Sequence, residues 1–219
     1  MSLWIKICGT TSLADAELAI DADADAVGFV FAPSPRRMSA AQVAVIAPKL
    51  PQAVEKIGVF ADAAIDEIAS AISDCGLTGV QLHFEAPAEL TARLRDRFGR
   101  TLRIVRVVRF AAGTPGAVPK LIEDPNADAV LVDSCSKTGA GGTGITYDWE
   151  LAAKAIFRRG AERKFIAAGG LNAANVAEAI GRLRPWGVDV ASGVESAPGR
   201  KDSDKLRAFI ARARDAFGK

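Results

Sequence analysis

Residues 3–21 read Leu-Trp-Ile-Lys-Ile-Cys-Gly-Thr-Thr-Ser-Leu-Ala-Asp-Ala-Glu-Leu-Ala-Ile-Asp. A short run rich in isoleucine, Leu3 to Ile7, leads through Cys8-Gly9-Thr10-Thr11 into a segment whose apolar residues have helical spacing, Ser12 to Asp21. This is the pattern of a βα unit, a strand followed by a helix. The same pattern recurs to the end of the chain.

Eight strands and eight helices are predicted in strict alternation. The strands are Leu3 to Ile7, Ala26 to Phe31, Glu55 to Phe60, Gly79 to Leu82, Arg103 to Val108, Ala129 to Val132, Phe165 to Ala168 and Val188 to Ala191. The helices are Ser12 to Asp21, Ala40 to Leu50, Ala63 to Cys75, Pro87 to Phe98, Pro115 to Glu123, Trp149 to Arg158, Ala173 to Arg182 and Asp202 to Phe217.

Eight βα units in 219 residues without an obvious linker predict an α/β protein with a single (β/α)8 TIM barrel as its one domain, residues 1–219. A doubly wound open sheet is the alternative. Closure is favoured because two strands carry polar residues on one face, as the interior or mouth of a barrel tolerates. Lys6 and Cys8 are two residues apart and so share one strand face, and so do Gln81 and His83. Strands of an open sheet covered on both sides should be purely apolar.

Composition excludes several classes of function. The chain is 49% hydrophobic and 25% charged, and 28 basic against 26 acidic residues leave a net charge of +2. Such a balance gives no reason to expect nucleic acid or a membrane surface as partner. The first residues show no leader pattern, so we expect a soluble cytoplasmic protein. The sequence leaves the oligomeric state open between monomer and homodimer.

The cysteines argue against metal and disulfides. Cys8, Cys75 and Cys135 form no CxxC pair, and His83 is the one histidine. A zinc site needs more ligands than these, and an odd count in a reducing compartment does not suggest a disulfide framework. We therefore expect no metal and no cofactor.

In a barrel the active site lies where the strands end, at their carboxyl ends. Cys8 follows the first strand, Asp133 the sixth, Gly169-Gly170 the seventh and Ser192-Gly193 the eighth. Glycines on two consecutive loops predict a phosphate cradle built from backbone N–H groups. Cys8 and Asp133 across one pocket form a candidate base and acid. Their reference pKa values, about 8.5 and about 3.9, would have to move toward neutrality, for the thiol through a nearby positive charge or the substrate.

Three further interpretations concern charged and glycine-rich segments. Arg36 or Arg37, after the second strand, could hold a substrate carboxylate through two parallel hydrogen bonds. Lys6 should lie one layer below Cys8 and form an ion pair with Asp189. Residues 139–144 satisfy the dinucleotide fingerprint GxGxxG but do not open a helix directly after a strand, so we discount nucleotide binding. The glycine-rich loop from Ser134 to Asp148 is of a kind that often forms a lid.

Motifs along almost the whole chain resemble the phosphoribosylanthranilate isomerase family. They are Lys6-Ile7-Cys8-Gly9, Val27-Gly28-Phe29-Val30-Phe31, Gly79-Val80-Gln81-Leu82-His83, Leu131-Val132-Asp133-Ser134, Gly141-Gly142-Thr143-Gly144 with Asp148-Trp149, Ala168-Gly169-Gly170-Leu171-Asn172, and Val188 to Glu195 with Pro198 to Asp202. The resemblance implies a TIM barrel of tryptophan biosynthesis that needs no cofactor or metal. Its substrate would be N-(5-phosphoribosyl)anthranilate, rearranged to 1-(2-carboxyphenylamino)-1-deoxyribulose 5-phosphate by an Amadori reaction.

The resemblance also implies roles. Asp133 would protonate the ribose ring oxygen as general acid, and Cys8 would remove the C2′ proton as general base, without a covalent intermediate. Arg36 would hold the anthranilate carboxylate. Gly169, Gly170, Ser192 and Gly193 would hold the phosphate, and Gln81 is taken as a further substrate-binding residue.

Two departures from the family pattern stand out. Phe84 occupies a position usually held by glycine, where it could narrow the mouth or alter the loop after strand four. The segment after strand two is one residue short, which weakens the choice of Arg36 over Arg37. A histidine-pathway isomerase of the same fold is an alternative. In that family a pair of aspartates does the acid and base work, whereas this chain has Cys8 at the first of the two positions. A barrel that binds a phosphorylated ligand without turnover is another alternative, but it would need neither Cys8 nor Asp133.

Overall fold

Eight parallel strands close into a barrel in chain order, and the first strand pairs with the eighth. The structure is a computed structural model that describes residues 2–111, 123–135, 146–158 and 163–218. The strands are β1 Trp4–Cys8, β2 Ala26–Val30, β3 Glu55–Phe60, β4 Gly79–Leu82, β5 Arg103–Ala111, β6 Ala129–Cys135, β7 Lys164–Ala167 and β8 Gly187–Val190. The predicted (β/α)8 barrel is confirmed.

Helices lie between the strands on the outside of the barrel. They are α1 Leu13–Asp21, α2 Ala40–Ile46 with a 3₁₀ turn Ala47–Lys49, α3 Ile65–Cys75, α4 Ala88–Phe98 with a 3₁₀ turn Gly99–Thr101, α5 Trp149–Ala152 with a π-turn Ala153–Phe157, α6 Val176–Leu183 and α7 Ser203–Phe217. After β8 come a 3₁₀ turn, Ser192–Val194, and the short antiparallel strands β9 Glu195–Ala197 and β10 Arg200–Lys201. None of the helices in the described ranges is both long and apolar enough to cross a membrane.

Two strands are longer than their sequence pattern indicates. β5 and β6 stay paired as far as Arg109 with Asp133 and Ala111 with Cys135. Asp133 therefore lies within β6 rather than after it. Pairing with a neighbour carries a strand past a polar residue, Arg109 in β5 and Asp133 in β6. The predicted helix from Pro115 to Glu123 falls almost wholly outside the described residues.

Helix α6 begins three residues later than predicted. The side chain of Asn172 accepts a hydrogen bond from the backbone N–H of Ala174, and the side chain of Asn175 accepts one from the backbone N–H of Asn172. Asparagine side chains that bond to nearby backbone favour such turns over a helix. The segment that follows β7 is therefore held as a fixed turn at the mouth of the barrel.

The core has two layers, one between the sheet and the helices and one in the lumen of the barrel. The lumen is filled by apolar side chains from most of the strands. They are Trp4, Ala26, Ile57, Val105, Val107, Ala129, Leu131, Ile166 and Ala168, with a smaller group, Cys8, Val30 and Val59, nearer the mouth. The barrel is therefore a packed core on which the mouth rests.

The predicted ion pair in the lumen is confirmed. Lys6 and Asp189 are register neighbours on β1 and β8, and Lys6 Nζ donates a hydrogen bond to Asp189 Oδ1 at 2.6 Å. The Lys6 side chain is 1% exposed and that of Asp189 11%. A charge buried this deeply is tolerated because its partner is in direct contact.

We expect Lys6→Met to lower the free energy of unfolding by about 3–5 kcal/mol, because it leaves Asp189 as an unpaired buried charge. The double variant Lys6→Met/Asp189→Leu should regain much of that loss, since it removes both charges. Urea unfolding followed by circular dichroism measures all three proteins. Equal stability of Lys6→Met and the wild type would contradict the buried ion pair.

Candidate active site

A cavity of about 280 Å³ opens at the carboxyl ends of the barrel strands. Nearly all the side chains predicted for the site lie on its wall. The predicted site residues on this wall are Cys8, Arg36, Gln81, Asp133, Gly169, Gly170 and Ser192. The cavity is also lined by His83, Arg109 and Asp189. Strands at both ends of the chain thus contribute to one pocket.

Cys8 ends β1 and is buried at the base of the cavity. Burial raises the pKa of its thiol, the positive charge of Lys6 acts in the opposite direction, and the negative charge of Asp189 adds to the rise. The net effect is a raised pKa: the charge of Lys6 opposes the rise without cancelling it, so the shift toward neutrality that base catalysis needs is left to the substrate. Sequence pattern placed Lys6 correctly but did not reveal how strongly the thiol is desolvated.

Asp133 lies on the cavity wall with its side chain 16% exposed. His83 Nε2 is 3.5 Å from Asp133 Oδ2, and Gln81 Nε2 is 3.5 Å from His83 Nδ1. Three polar side chains from β4, the residue after it and β6 therefore form a row along one side of the mouth. Within the described residues, Gln81 Oε1 is buried without a hydrogen-bond partner.

The structure distinguishes Arg36 from Arg37. Arg36 lines the cavity, with its side chain 13% exposed, whereas Arg37 is exposed and lies outside the cavity wall. The Arg36 guanidinium donates through Nε and Nη2 to the two carboxylate oxygens of Glu195, at 2.8 and 2.6 Å. Of the two candidates, Arg36 is the one placed to reach a ligand.

The glycine loops after β7 and β8 lie side by side. Gly169 and Gly170 have φ values of +80° and +67°, a left-handed conformation that favours glycine. Asn175 holds this loop by donating to the Gly170 carbonyl at 3.0 Å. Gly193 does not line the cavity, and a Cβ built on it would lie 1.9 Å from the Leu171 carbonyl oxygen. Gly193 thus allows the two loops to pack together behind Ser192.

Sequence reasoning gave no role to two residues of the mouth. His83 was placed at a strand end but not in the site. Arg109 was missed because the fifth strand was predicted to end at Val108, although β5 carries Arg109 to the rim. There Arg109 is exposed and its Nη2 donates to the His83 carbonyl at 3.4 Å. An arginine alternating with apolar residues beyond Val108 was the available signal.

The remaining predictions for the mouth have mixed outcomes. Phe84 is half-buried against the core and is not part of the cavity wall, so it does not narrow the pocket. The fingerprint at residues 139–144 and most of the predicted lid lie outside the described residues. In the ranges that are described, no group of three or more His, Cys, Asp and Glu side chains could hold a metal ion.

A barrel whose mouth gathers a thiol, a carboxyl, an arginine and two glycine loops defines an enzyme class, one that moves protons on a small anionic substrate. The sequence profile of the family described as N-(5'-phosphoribosyl)anthranilate (PRA) isomerase matches residues 5–212. The chain belongs to the phosphoribosylanthranilate isomerase family, and it is an isomerase of tryptophan biosynthesis.

Individual relatives agree with this assignment. The N-(5'-phosphoribosyl)anthranilate isomerase of Magnetococcus marinus is 42% identical over 222 residues and covers both chains fully, and that of Pelobacter propionicus is 41% identical over 96% of this chain and 95% of its own. Among solved structures, the Thermus thermophilus enzyme superposes with a TM-score of 0.80 at 37% identity, covering 96% of this chain and 98% of that chain. A phosphoribosyl anthranilate isomerase in complex with reduced 1-(o-carboxyphenylamino)-1-deoxyribulose 5-phosphate gives 0.79 at 32%, covering 97% and 99%. Neither alternative function considered from the sequence is favoured.

Alkylation of Cys8 by iodoacetamide should show a midpoint above pH 8.5, about that of a free cysteine, because burial raises its pKa. Lys6→Met should move the midpoint higher, since the Lys6 charge favours the thiolate. The exposed Lys49→Met is the matched control and should leave it unchanged. Mass spectrometry separates the Cys8 peptide from that of Cys75. A midpoint near pH 7 would contradict the predicted direction.

Proposed function

We propose that this cavity catalyses the Amadori rearrangement of N-(5'-phosphoribosyl)anthranilate with Asp133 as general acid and Cys8 as general base. The observation that carries the proposal is that Cys8, Asp133, Arg36 and the loops after β7 and β8 all line one cavity. The reaction needs a proton donor, a proton acceptor, and groups that bind the carboxylate and the phosphate of the substrate. The mouth contains one candidate for each.

In the first step Asp133 donates its proton to the ribose ring oxygen. The C1′–O bond breaks, the electrons of the anthranilate nitrogen form the C1′=N bond, and the product is a protonated Schiff base. Asp133 suits this step because it lines the same cavity as Cys8 and its side chain is partly shielded from solvent. A positioned acid typically accelerates such a step by about 10²- to 10⁴-fold.

In the second step Cys8 takes the proton from C2′. The C–H electrons form the C1′–C2′ double bond, the iminium nitrogen is neutralised, and the resulting enolamine tautomerises to the ketose product. Cys8 takes part as the thiolate, so its own proton leaves to solvent through the cavity mouth before this step. Burial raises the pKa of the thiol and the charge of Lys6 opposes that rise. The positive charge of the Schiff base adds to that of Lys6 in favouring the thiolate. Cys8 acts as a base and forms no bond to carbon.

Binding is divided between two sides of the cavity. Arg36 holds the anthranilate carboxylate, while the backbone N–H groups of Gly169 and Gly170 with the Ser192 hydroxyl hold the phosphate, and Gly193 contributes only by letting the two loops pack together. Gln81, which lines the cavity, is a further contact for the substrate. The fixed turn at Asn172 and Asn175 supports the phosphate role, because it holds the loop without the ligand.

We propose that residues 1–219 act as one catalytic domain, because β1 and β8 both contribute to the pocket. We also propose the cytoplasm as its location. Cys8 and Cys75 are free thiols, and a cysteine that works as a base requires a reducing compartment.

We propose that the protein is a monomer. Across the described residues Val45 is the one large apolar side chain that is exposed, whereas stable dimer interfaces are rich in such side chains. Light scattering after size-exclusion chromatography tests this proposal, and a mass of twice 22.9 kDa would contradict it.

Cys8→Ala and Asp133→Ala should each lower kcat by about 10²- to 10⁴-fold, because each removes one proton-transfer group. The measurement is the loss of anthranilate fluorescence on adding enzyme to freshly made phosphoribosylanthranilate. Cys75→Ala is the matched control, since Cys75 is buried in the helix layer away from the cavity. It should keep nearly full turnover.

Undiminished turnover in both active-site variants would overturn the assignment of acid and base. A covalent adduct of Cys8 with substrate, detected by mass spectrometry after rapid quenching, would overturn its role as a base. Arg36→Ala should raise KM more than it lowers kcat, because it removes binding that is present before and during the reaction.

A further inference from the structure

Glu195, from a distant part of the chain, fixes Arg36 at the mouth of the barrel. Arg36 lies in the loop after β2, and Glu195 begins β9, 159 residues later in the chain. The two nitrogens Nε and Nη2 of Arg36 donate to the two oxygens of Glu195, and the Glu195 side chain is 4% exposed. This two-point contact sets both the position and the plane of the guanidinium.

The backbone at the end of β1 makes room for this arrangement. Gly9 has a φ of +72°, and a Cβ built on it would lie 2.4 Å from Arg36 Cδ. A larger residue would push the arginine stem away from Cys8. The glycine after the cysteine therefore brings Arg36 close to the proposed base.

Lys201, on β10, donates to Glu195 Oε1, the same oxygen that accepts from Arg36 Nε. Its Nζ lies 3.1 Å from Glu195 Oε1, 2.5 Å from the Cys8 carbonyl oxygen and 3.4 Å from the Ala191 carbonyl oxygen. The side chain is fully buried, and each of the three ammonium hydrogens has an acceptor. Lys201 thus connects Glu195 to the main chain of Cys8.

The charges of the three groups do not cancel. Burial alone would raise the pKa of Glu195, but the hydrogen bond from Arg36 and the charge of Lys201 hold it below its usual value. Burial lowers the pKa of Lys201, and Glu195 opposes this effect. Two cations and one anion leave one positive charge at the cavity wall. Without Lys201, Glu195 would neutralise Arg36.

A guanidinium has two edges that can bind a carboxylate. Glu195 occupies the edge formed by Nε and Nη2, and among the described residues the Arg36 side chain has no second hydrogen-bond partner. The edge formed by Nη1 and Nη2 keeps its donors in the fork geometry that matches a second carboxylate. Arg36 can therefore hold Glu195 and a ligand at the same time.

We propose that Glu195 and Lys201 are positioning residues, which aim the free edge of Arg36 at the substrate carboxylate and keep that edge cationic. This inference rests on the proposed role of Arg36. The ligand class is a small molecule that carries a carboxylate on its aromatic part and a phosphate on its sugar. Through the Cys8 carbonyl, Lys201 also fixes the distance between the carboxylate clamp and the base.

The test compares two ligands by calorimetry. Reduced 1-(o-carboxyphenylamino)-1-deoxyribulose 5-phosphate carries the carboxylate, and ribulose 5-phosphate does not. Glu195→Gln should weaken the first by at least about tenfold, the equivalent of one charge-assisted hydrogen bond, and leave the second within about twofold. In turnover it should raise KM more than it lowers kcat. Lys201→Met should show the same selectivity.

Glu55→Gln is the matched control. Glu55 accepts the same two-point contact from Arg103 Nε and Nη2, at 2.5 and 2.7 Å, but at the amino ends of β3 and β5. It should leave both affinities unchanged. Equal weakening of both ligands by Glu195→Gln would assign Glu195 a merely structural role and overturn the inference.

Arg36→Ala separates this inference from the proposed function. Weaker binding of the carboxylate ligand in Arg36→Ala but not in Glu195→Gln overturns the inference alone. Unchanged binding in Arg36→Ala overturns the proposed clamp itself. If Glu195→Gln does not fold, a crystal structure of the wild type with the carboxylate ligand decides. Glu195 should keep Nε while the ligand takes Nη1, and displacement of Glu195 by the ligand would overturn the inference.

Discussion

The pairing of β1 with β8 is the constraint on which the rest of the site depends. It closes the barrel with Lys6 opposite Asp189, and it places the segment after β8 against the end of β1. Lys201 reaches the Cys8 carbonyl across 193 residues of sequence only because of this closure. The surroundings of the proposed base are therefore built from both ends of the chain.

Beneath the mouth the lumen is apolar, and this decides the state of the thiol. Trp4, Ile57 and Leu131 fill the layers below, so the Lys6–Asp189 pair and Cys8 lie between a dry core and the cavity. A thiolate in such surroundings is disfavoured unless a cation is close. Lys6 supplies part of that stabilisation but is shared with Asp189. A thiol whose pKa is raised by burial is less exposed to oxidation, and it acts as a base once its own proton has left to solvent.

The sequence predicts what depends on local pattern. Runs of β-branched residues predicted the eight strands, and alternation along β1 and β8 predicted the contact between Lys6 and Asp189. What it did not predict depends on neighbours. β5 runs on to Arg109 because β6 pairs with it, and the thiol pKa rises because of burial that no spacing reveals. In the sequence, Glu195 and Lys201 are recognisable only as members of a motif. Their contacts with Arg36 and with the Cys8 carbonyl form because the barrel closes between β1 and β8.

The contacts of Arg36 also explain why an arginine at this mouth benefits from a carboxylate partner of its own. A free arginine side chain loses about 2 kcal/mol of rotamer entropy when a ligand fixes it, and Glu195 has already fixed this one. The same contact would cancel the charge that attracts an anion. Lys201 restores that charge from a fully buried position, where water does not screen it. In a simple ion pair, the carboxylate that orients an arginine also cancels its charge. With Lys201 as a third side chain, Arg36 is held in place and the group keeps a net positive charge.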